Sequence, residues 1–73
     1  MLNGNLLRGK IAAAGLNQKE LAVAIEMSEN TLSSRIRGGS SFTCDEVERV
    51  CRVLGITEPQ EKCDIFLAKP SQN

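Results

Sequence analysis

The chain has no histidine and no tyrosine, and its three cysteines form no C-x-x-C pair. Without these residues the usual zinc ligand sets and the commonest general acid–base groups cannot be assembled. No apolar run approaches the roughly 20 residues that cross a bilayer, and the N-terminus lacks the apolar core of a signal peptide. These absences predict a cytoplasmic protein that is not an enzyme, uses no cofactor or metal and does not enter membranes.

The remaining composition is ordinary: 73 residues, 41% of them hydrophobic and 25% charged. Such a composition is typical of globular proteins, and a chain this short buries only about 60% of its unfolded surface. We therefore predict one domain over residues 1–73, built as a small helical bundle. We interpret the cysteines as reduced thiols that act as small apolar side chains, because Cys44 and Cys51 share a helix face.

The formal net charge is +0, but the charges are unevenly distributed. Residues 1–41 contain five basic and three acidic side chains, whereas residues 42–73 contain four basic and six acidic ones. The positive surplus of the first half is small, so a monomer would bind nucleic acid weakly.

Helix starts and stops are clearly marked along the chain. Asn17 with Glu20, and Thr43 with Glu46, have the spacing of a capping box, and Ser28 is a further N-cap. Glycines follow several apolar-periodic segments, where they can adopt the left-handed conformation that ends a helix. The pattern predicts five helices and a short tail, at about 5–14, 18–25, 29–37, 44–54, 58–67 and 68–73.

The apolar residues recur at helical spacing and predict one core, and no segment alternates as a strand would. The fold class is therefore all-α. The predicted core positions are Leu7, Ile11, Ala14, Leu21, Ile25, Leu32, Ile36, Val47, Val50, Cys51 and Leu54. Two interpretations of Ile65, Phe66 and Leu67 stay open: they complete the core, or they form a dimer surface.

Only Glu26, Met27 and Ser28 separate the second predicted helix from the third. Two short helices joined by so tight a turn are a helix-turn-helix, whose second helix enters the major groove of DNA. Ala22 fits this arrangement, because a small side chain is needed where the two helices cross.

The motifs around this turn resemble a known family. G-L-N-Q-K-E-L-A at 15–22, M-S at 27–28 and T-L-S at 31–33 are similar to the pattern of Xre/Cro/cI-type regulators. The segment R-G-G-S-S-F-T at 37–43 further resembles small phage-encoded Cro-like proteins. Over roughly residues 5–67, the resemblance implies a five-helix, lambda-repressor-like DNA-binding domain that leaves no room for a catalytic or ligand-sensing domain.

Two departures from the family pattern have physical consequences. Glu26 occupies the turn position that the family usually fills with glycine, and a positive φ there would cost on the order of 1 kcal/mol. Ile11 and Ile36 stand where similar lambdoid repressors carry a buried arginine–glutamate pair. An apolar pair can be equally stable, because burying two charges costs several kcal/mol per ion.

The third helix supplies the predicted base-reading residues, on the face opposite Leu32 and Ile36. Asparagine can bond adenine twice, serine can bond several base edges, and glutamate can accept from the cytosine amino group. The predicted base-reading residues are Glu29, Asn30, Ser33 and Ser34.

The DNA backbone is expected to meet two further groups of residues. The start of the second helix offers N–H groups and a partial positive charge, and the glycine-rich loop after the third helix allows close approach. The predicted backbone contacts are Gln18, Lys19, Arg35, Arg37, Gly38, Gly39, Ser40 and Ser41.

The sequence thus favours a Cro-like repressor of phage or prophage origin that binds a double-stranded operator as a homodimer, at least on DNA. No small-molecule ligand is expected. A protein-interaction module on the same scaffold, such as an antirepressor, is the alternative. An antitoxin is a weaker one, because the tail is too short to wrap a toxin.

Overall fold

The computed structural model describes residues 2–67, which form five α-helices and no strand. The predicted all-α, five-helix fold is confirmed, and the predicted tail at 68–73 lies outside the described residues. No helix of this part of the chain has the length and apolar character needed to cross a membrane. The helices are α1 (Gly4–Ala13), α2 (Gln18–Ala24), α3 (Glu29–Arg37), α4 (Cys44–Leu54) and α5 (Pro59–Phe66).

Both predicted capping boxes are present. At the start of α2, Asn17 Oδ1 accepts from the Glu20 amide at 2.8 Å, and Glu20 Oε1 accepts from the Asn17 amide at 2.9 Å. At the start of α4, Thr43 Oγ1 accepts from the Glu46 amide at 3.2 Å, and Glu46 Oε1 accepts from the Thr43 amide at 2.9 Å. Each box satisfies two backbone donors that a helix start otherwise leaves unpaired.

The first helix differs from its prediction at both ends. It begins one residue early, because Asn3 Oδ1 accepts from the Leu6 amide at 3.0 Å and caps it. It ends at Ala13, so Ala14 is the C-cap, and Gly15 then turns the chain with a φ of 78°. The prediction that Ala14 faces the core is wrong: its side chain is exposed.

One hydrophobic core draws on all five helices. Ile56, which the sequence analysis did not predict, joins it directly after the Gly55 turn at the end of α4. Cys51 is buried, as predicted, whereas Cys44 is exposed at the first residue of α4. The buried residues are Leu7, Ile11, Leu21, Ala22, Ile25, Leu32, Ile36, Val50, Cys51, Ile56 and Ile65.

The packing of α5 assigns Ile65, one of the three residues with two open interpretations, to the core. Ile65 is fully buried, and Phe66 is half-buried with its ring edge-on to Phe42 at a centroid distance of 5.5 Å. Leu67 remains 65% exposed. Ile65 therefore completes the core, whereas Leu67 lies on the surface.

The turn between α2 and α3 has an unusual backbone. Glu26 has a φ of 59°, and it is the one residue other than glycine in residues 2–67 with positive φ. Neighbouring bonds hold the turn: the Met27 amide donates to the Ala22 carbonyl at 2.9 Å, and Arg49 Nη1 donates to the Ile25 carbonyl at 3.3 Å. Arg49 of α4 thus binds a carbonyl left unpaired at the end of α2, a contact that sequence analysis did not predict.

We expect Glu26→Gly to raise the free energy of unfolding by about 1 kcal/mol, because glycine adopts this φ without steric strain. Urea unfolding followed by circular dichroism measures the change. Glu26→Ala is the matched control, since it removes the same charge but keeps the strained backbone. An equal gain in both variants would assign the effect to charge rather than to φ.

Candidate nucleic-acid interface

Helix α3 is built to leave one face open. Ser28 caps it by accepting from the Thr31 amide at 3.1 Å, and the Ser28 hydroxyl donates to Thr31 Oγ1 at 2.8 Å, where a capping box would have a carboxylate. Leu32 and Ile36 anchor its inner face at 0% and 4% exposure. The opposite, polar face is therefore presented to solvent from the first turn onward.

The four predicted base-reading residues lie on this helix and differ in solvent exposure and in hydrogen bonding. Glu29 and Asn30, in the first turn, are exposed. Ser33 and Ser34 are half-buried, and both have partners: Ser33 Oγ accepts from Arg37 Nη1 at 2.7 Å, and Ser34 Oγ lies 3.4 Å from Ser40 Oγ. The first turn can therefore meet a base edge directly, and each serine hydroxyl keeps hydrogen-bonding capacity beyond its internal partner.

The helix ends in two glycines with different tasks. Gly38 has a φ of 88°, the left-handed conformation that ends a helix at no steric cost for glycine. The Gly39 amide donates to the Ser34 carbonyl at 2.8 Å, and a Cβ on Gly39 would lie 2.9 Å from Ser34 Oγ. Gly39 allows this close approach, since a larger residue would force the Ser34 hydroxyl to rotate away, and it is not needed for φ. The loop consequently folds back against α3.

Arg35 lies inside a hydrogen-bond network. Its Nε and Nη2 donate to the two carboxylate oxygens of Glu46 at 2.7 and 3.1 Å, and its Nη1 donates to Ser40 Oγ at 2.7 Å. The Arg35 and Glu46 side chains are only 18% and 17% exposed. The sequence predicted Arg35 as a contact to the DNA backbone, but its guanidinium already has protein partners.

The same network keeps the Glu46 carboxyl ionised. Hydrogen bonds from the Arg35 guanidinium, chiefly, hold the pKa of Glu46 below its ordinary value of 4.5, although burial opposes this shift. Because folding lowers this pKa, the resulting stabilisation is fully present above pH 4.5 and is lost as the pH falls through the folded-state value. At neutral pH the ion pair is intact.

The other predicted backbone contacts lie at the start of α2 and at the end of α3. At the start of α2, Gln18 is half-buried and Lys19 is exposed. The residues at the end of α3 are all exposed, and they are Arg37, Gly38, Gly39, Ser40 and Ser41.

The positive surplus of residues 1–41 is offset by ion pairing within the protein. Among residues 2–67, two ion pairs join the halves of the chain: Arg35 with Glu46, and Lys10 with Glu61. These pairs leave three basic residues of the first half to face three acidic ones: Arg8, Lys19 and Arg37 against Glu20, Glu26 and Glu29. The remaining formal charges of residues 1–41 therefore balance, so this half of the chain has little net attraction for phosphate.

The short turn between α2 and α3, the capped and partly exposed α3, and the buried Ala22 define a helix-turn-helix of the DNA-binding class. A family model described as helix-turn-helix (HTH_3) matches residues 7–61, which is most of the chain. The chain belongs to this family, the Xre/Cro/cI-type helix-turn-helix proteins, and is a DNA-binding regulator. No curated protein and no solved structure matches it.

Proposed function

We propose that the protein is a Cro-like repressor of phage or prophage origin that binds a specific operator through α3. The observation that carries this proposal is the division of α3 into a buried face, Leu32 and Ile36, and an exposed first turn, Glu29 and Asn30. In a helix-turn-helix the N-terminal residues of the second helix contact base edges. Repression would follow from occupancy alone, by exclusion of polymerase or of a competing repressor, with no cofactor and no small-molecule ligand.

Each exposed group has a defined chemical partner in this proposal. The Asn30 amide pairs with adenine through two hydrogen bonds, and Glu29 accepts from a cytosine amino group. Ser33 and Ser34 add base-edge bonds with the hydrogen-bonding capacity that their internal contacts leave free. The phosphates are met by Gln18, Lys19, Arg37, Gly38, Gly39, Ser40 and Ser41.

The protein acts as a homodimer, at least on DNA. With so little positive surplus on one protomer, counterion release contributes little, and two recognition helices are needed for useful affinity. A two-fold dimer places them about 34 Å apart on a pseudo-palindromic site. We assign the dimer surface to the exposed Leu67 and the adjacent Phe42–Phe66 pair, because Ile65 is committed to the core.

Selection from a library of randomised duplexes tests the function. We expect an enriched two-fold symmetric sequence that binds about 1,000-fold or more tightly than random duplex at the same salt concentration. Sedimentation of the complex should show two protomers for each duplex. Equal affinity for selected and random DNA would overturn the proposal.

The balanced charge around α3 favours one alternative, a module that captures another repressor instead of DNA. In that case the selection yields no consensus. Asn30→Ala separates the two functions further, because loss of operator binding in this variant assigns the exposed first turn of α3 to DNA.

A further inference from the structure

The carboxylate of Glu46 has more partners than its role in the capping box requires. Its Oε1 accepts from the Thr43 amide at 2.9 Å, which completes the box. Oε1 also accepts from Arg35 Nε at 2.7 Å, and Oε2 accepts from Arg35 Nη2 at 3.1 Å. At the start of α2, Glu20 closes an equivalent box without a cationic partner among the described residues. The bidentate pair is therefore an addition to the capping chemistry.

Arg35 extends this link to the loop after α3. While two of its nitrogens bond Glu46, its Nη1 donates to Ser40 Oγ at 2.7 Å, and Ser40 Oγ lies 3.4 Å from Ser34 Oγ. The residues before Ser40 are two glycines, which have no side chains to hold the loop in place. A continuous set of contacts thus joins the first turn of α4 to the segment 38–41, hereafter the phosphate loop.

We propose that Glu46 is a positioning residue for DNA binding, which acts through Arg35 to hold Ser40 and the phosphate loop in a binding-competent conformation. This inference rests on the proposed function of the phosphate loop. Ordering a loop before binding lowers the entropic cost of association. Arg35 then serves the interface from within the protein, and Ser40 and its neighbours meet the phosphate.

Simple electrostatics predicts the opposite effect of removing this acid. Glu46→Gln removes one negative charge, and a more positive net charge strengthens attraction to DNA. It would also release Arg35, which could then reach a phosphate itself. If Glu46 positions the phosphate loop, the affinity for DNA must fall in spite of the more favourable charge. The sign of the change in affinity therefore distinguishes a positioning role from a purely electrostatic one.

Operator affinity at fixed salt, measured well below the melting temperature of each variant, provides the first test. Glutamine also closes capping boxes, so Glu46→Gln keeps the start of α4 but loses the bidentate ion pair. We expect about fivefold weaker binding for Glu46→Gln and a loss at least as large for Arg35→Gln, which breaks the same ion pair and also removes a positive charge. Because both substitutions break one ion pair, the double variant should bind no more weakly than Arg35→Gln alone. Glu48→Gln, with the same charge change at an exposed site of α4, should bind as well as the unmodified chain or more tightly.

A second measurement needs no DNA. Backbone 15N order parameters of Ser40 and Ser41 should fall from about 0.85 toward 0.6 in Glu46→Gln and stay unchanged in Glu48→Gln. Tighter operator binding by Glu46→Gln, or unchanged order parameters, would overturn the proposal. If even the unmodified chain fails to bind selected DNA, the proposed function falls, and the order parameters alone then support or overturn the ordering role of Glu46.

Discussion

Replacing Gly4 with alanine is expected to lower the free energy of unfolding by about 1 to 3 kcal/mol. Gly4 is the first residue of α1, and a Cβ there would lie 2.8 Å from the backbone carbonyl oxygen of Ile36, in the last turn of α3. A backbone atom cannot rotate away as the end of a side chain can. The added methyl group must therefore push α1 away from α3 or displace the end of the recognition helix.

Gly9 provides a matched control in the same helix. It is exposed in the middle of α1, and a Cβ there would meet nothing within 4 Å. Gly9→Ala should raise the free energy of unfolding by about 0.5 to 1 kcal/mol, because alanine loses less backbone entropy in a helix. Urea titrations of the two variants give opposite signs for the same substitution. A Gly4→Ala variant as stable as Gly9→Ala would contradict the close approach of α1 and α3.

The features that could be predicted from the sequence are those that depend on residues close together in the chain. The bounds of α3, residues 29–37, follow from the Ser28 cap and the Gly38 stop, and the structure has the same bounds. At Glu26, the resemblance to the family marked a turn position where a positive φ would cause strain, and the structure has a φ of 59° there. Such features are recognisable because cap, turn and apolar periodicity are all local patterns.

Features that depend on the tertiary approach of distant elements were missed. Arg35 looked like a solvent-facing cation of a recognition helix, and nothing in its own helix points to Glu46, which lies 11 residues away. Likewise, Gly4 gives no sign in the sequence of its contact with Ile36. Ile65 and Leu67 have the same apolar character, so only the packing of α5 could separate the buried residue from the exposed one.

The charge pattern illustrates the same limit at the level of function. A count of charged residues gives the first half of the chain a positive surplus. Lys10 and Arg35 of this half, however, form ion pairs with Glu61 and Glu46 of the second half. In the proposed function, the interface would therefore depend on hydrogen bonding more than on Coulomb attraction. We therefore expect weak binding to random DNA and a comparatively large difference between operator and random sequence.

Arg37→Ala should weaken binding to all duplexes alike and reduce the slope of log affinity against log salt by about 1 per protomer, if Arg37 contacts a phosphate. Arg52→Ala removes the same charge from an exposed position on α4, outside the proposed interface, and should leave the slope nearly unchanged. Similar slopes for the two variants would show that Arg37 acts only through net charge.

Asn30→Ala should behave differently from Arg37→Ala, because a base contact carries sequence information and a phosphate contact does not. Loss of a bidentate bond to adenine should cost about 1 to 3 kcal/mol of operator affinity and relax the preference at one base pair in each half-site. Affinity for random duplex and the salt slope should stay unchanged, since no charge is removed. Titration of the operator and of its single-base variants against Asn30→Ala measures both effects. Equal discrimination by the variant and the unmodified chain would remove Asn30 from the reading face and leave Glu29 as the exposed candidate in the first turn of α3.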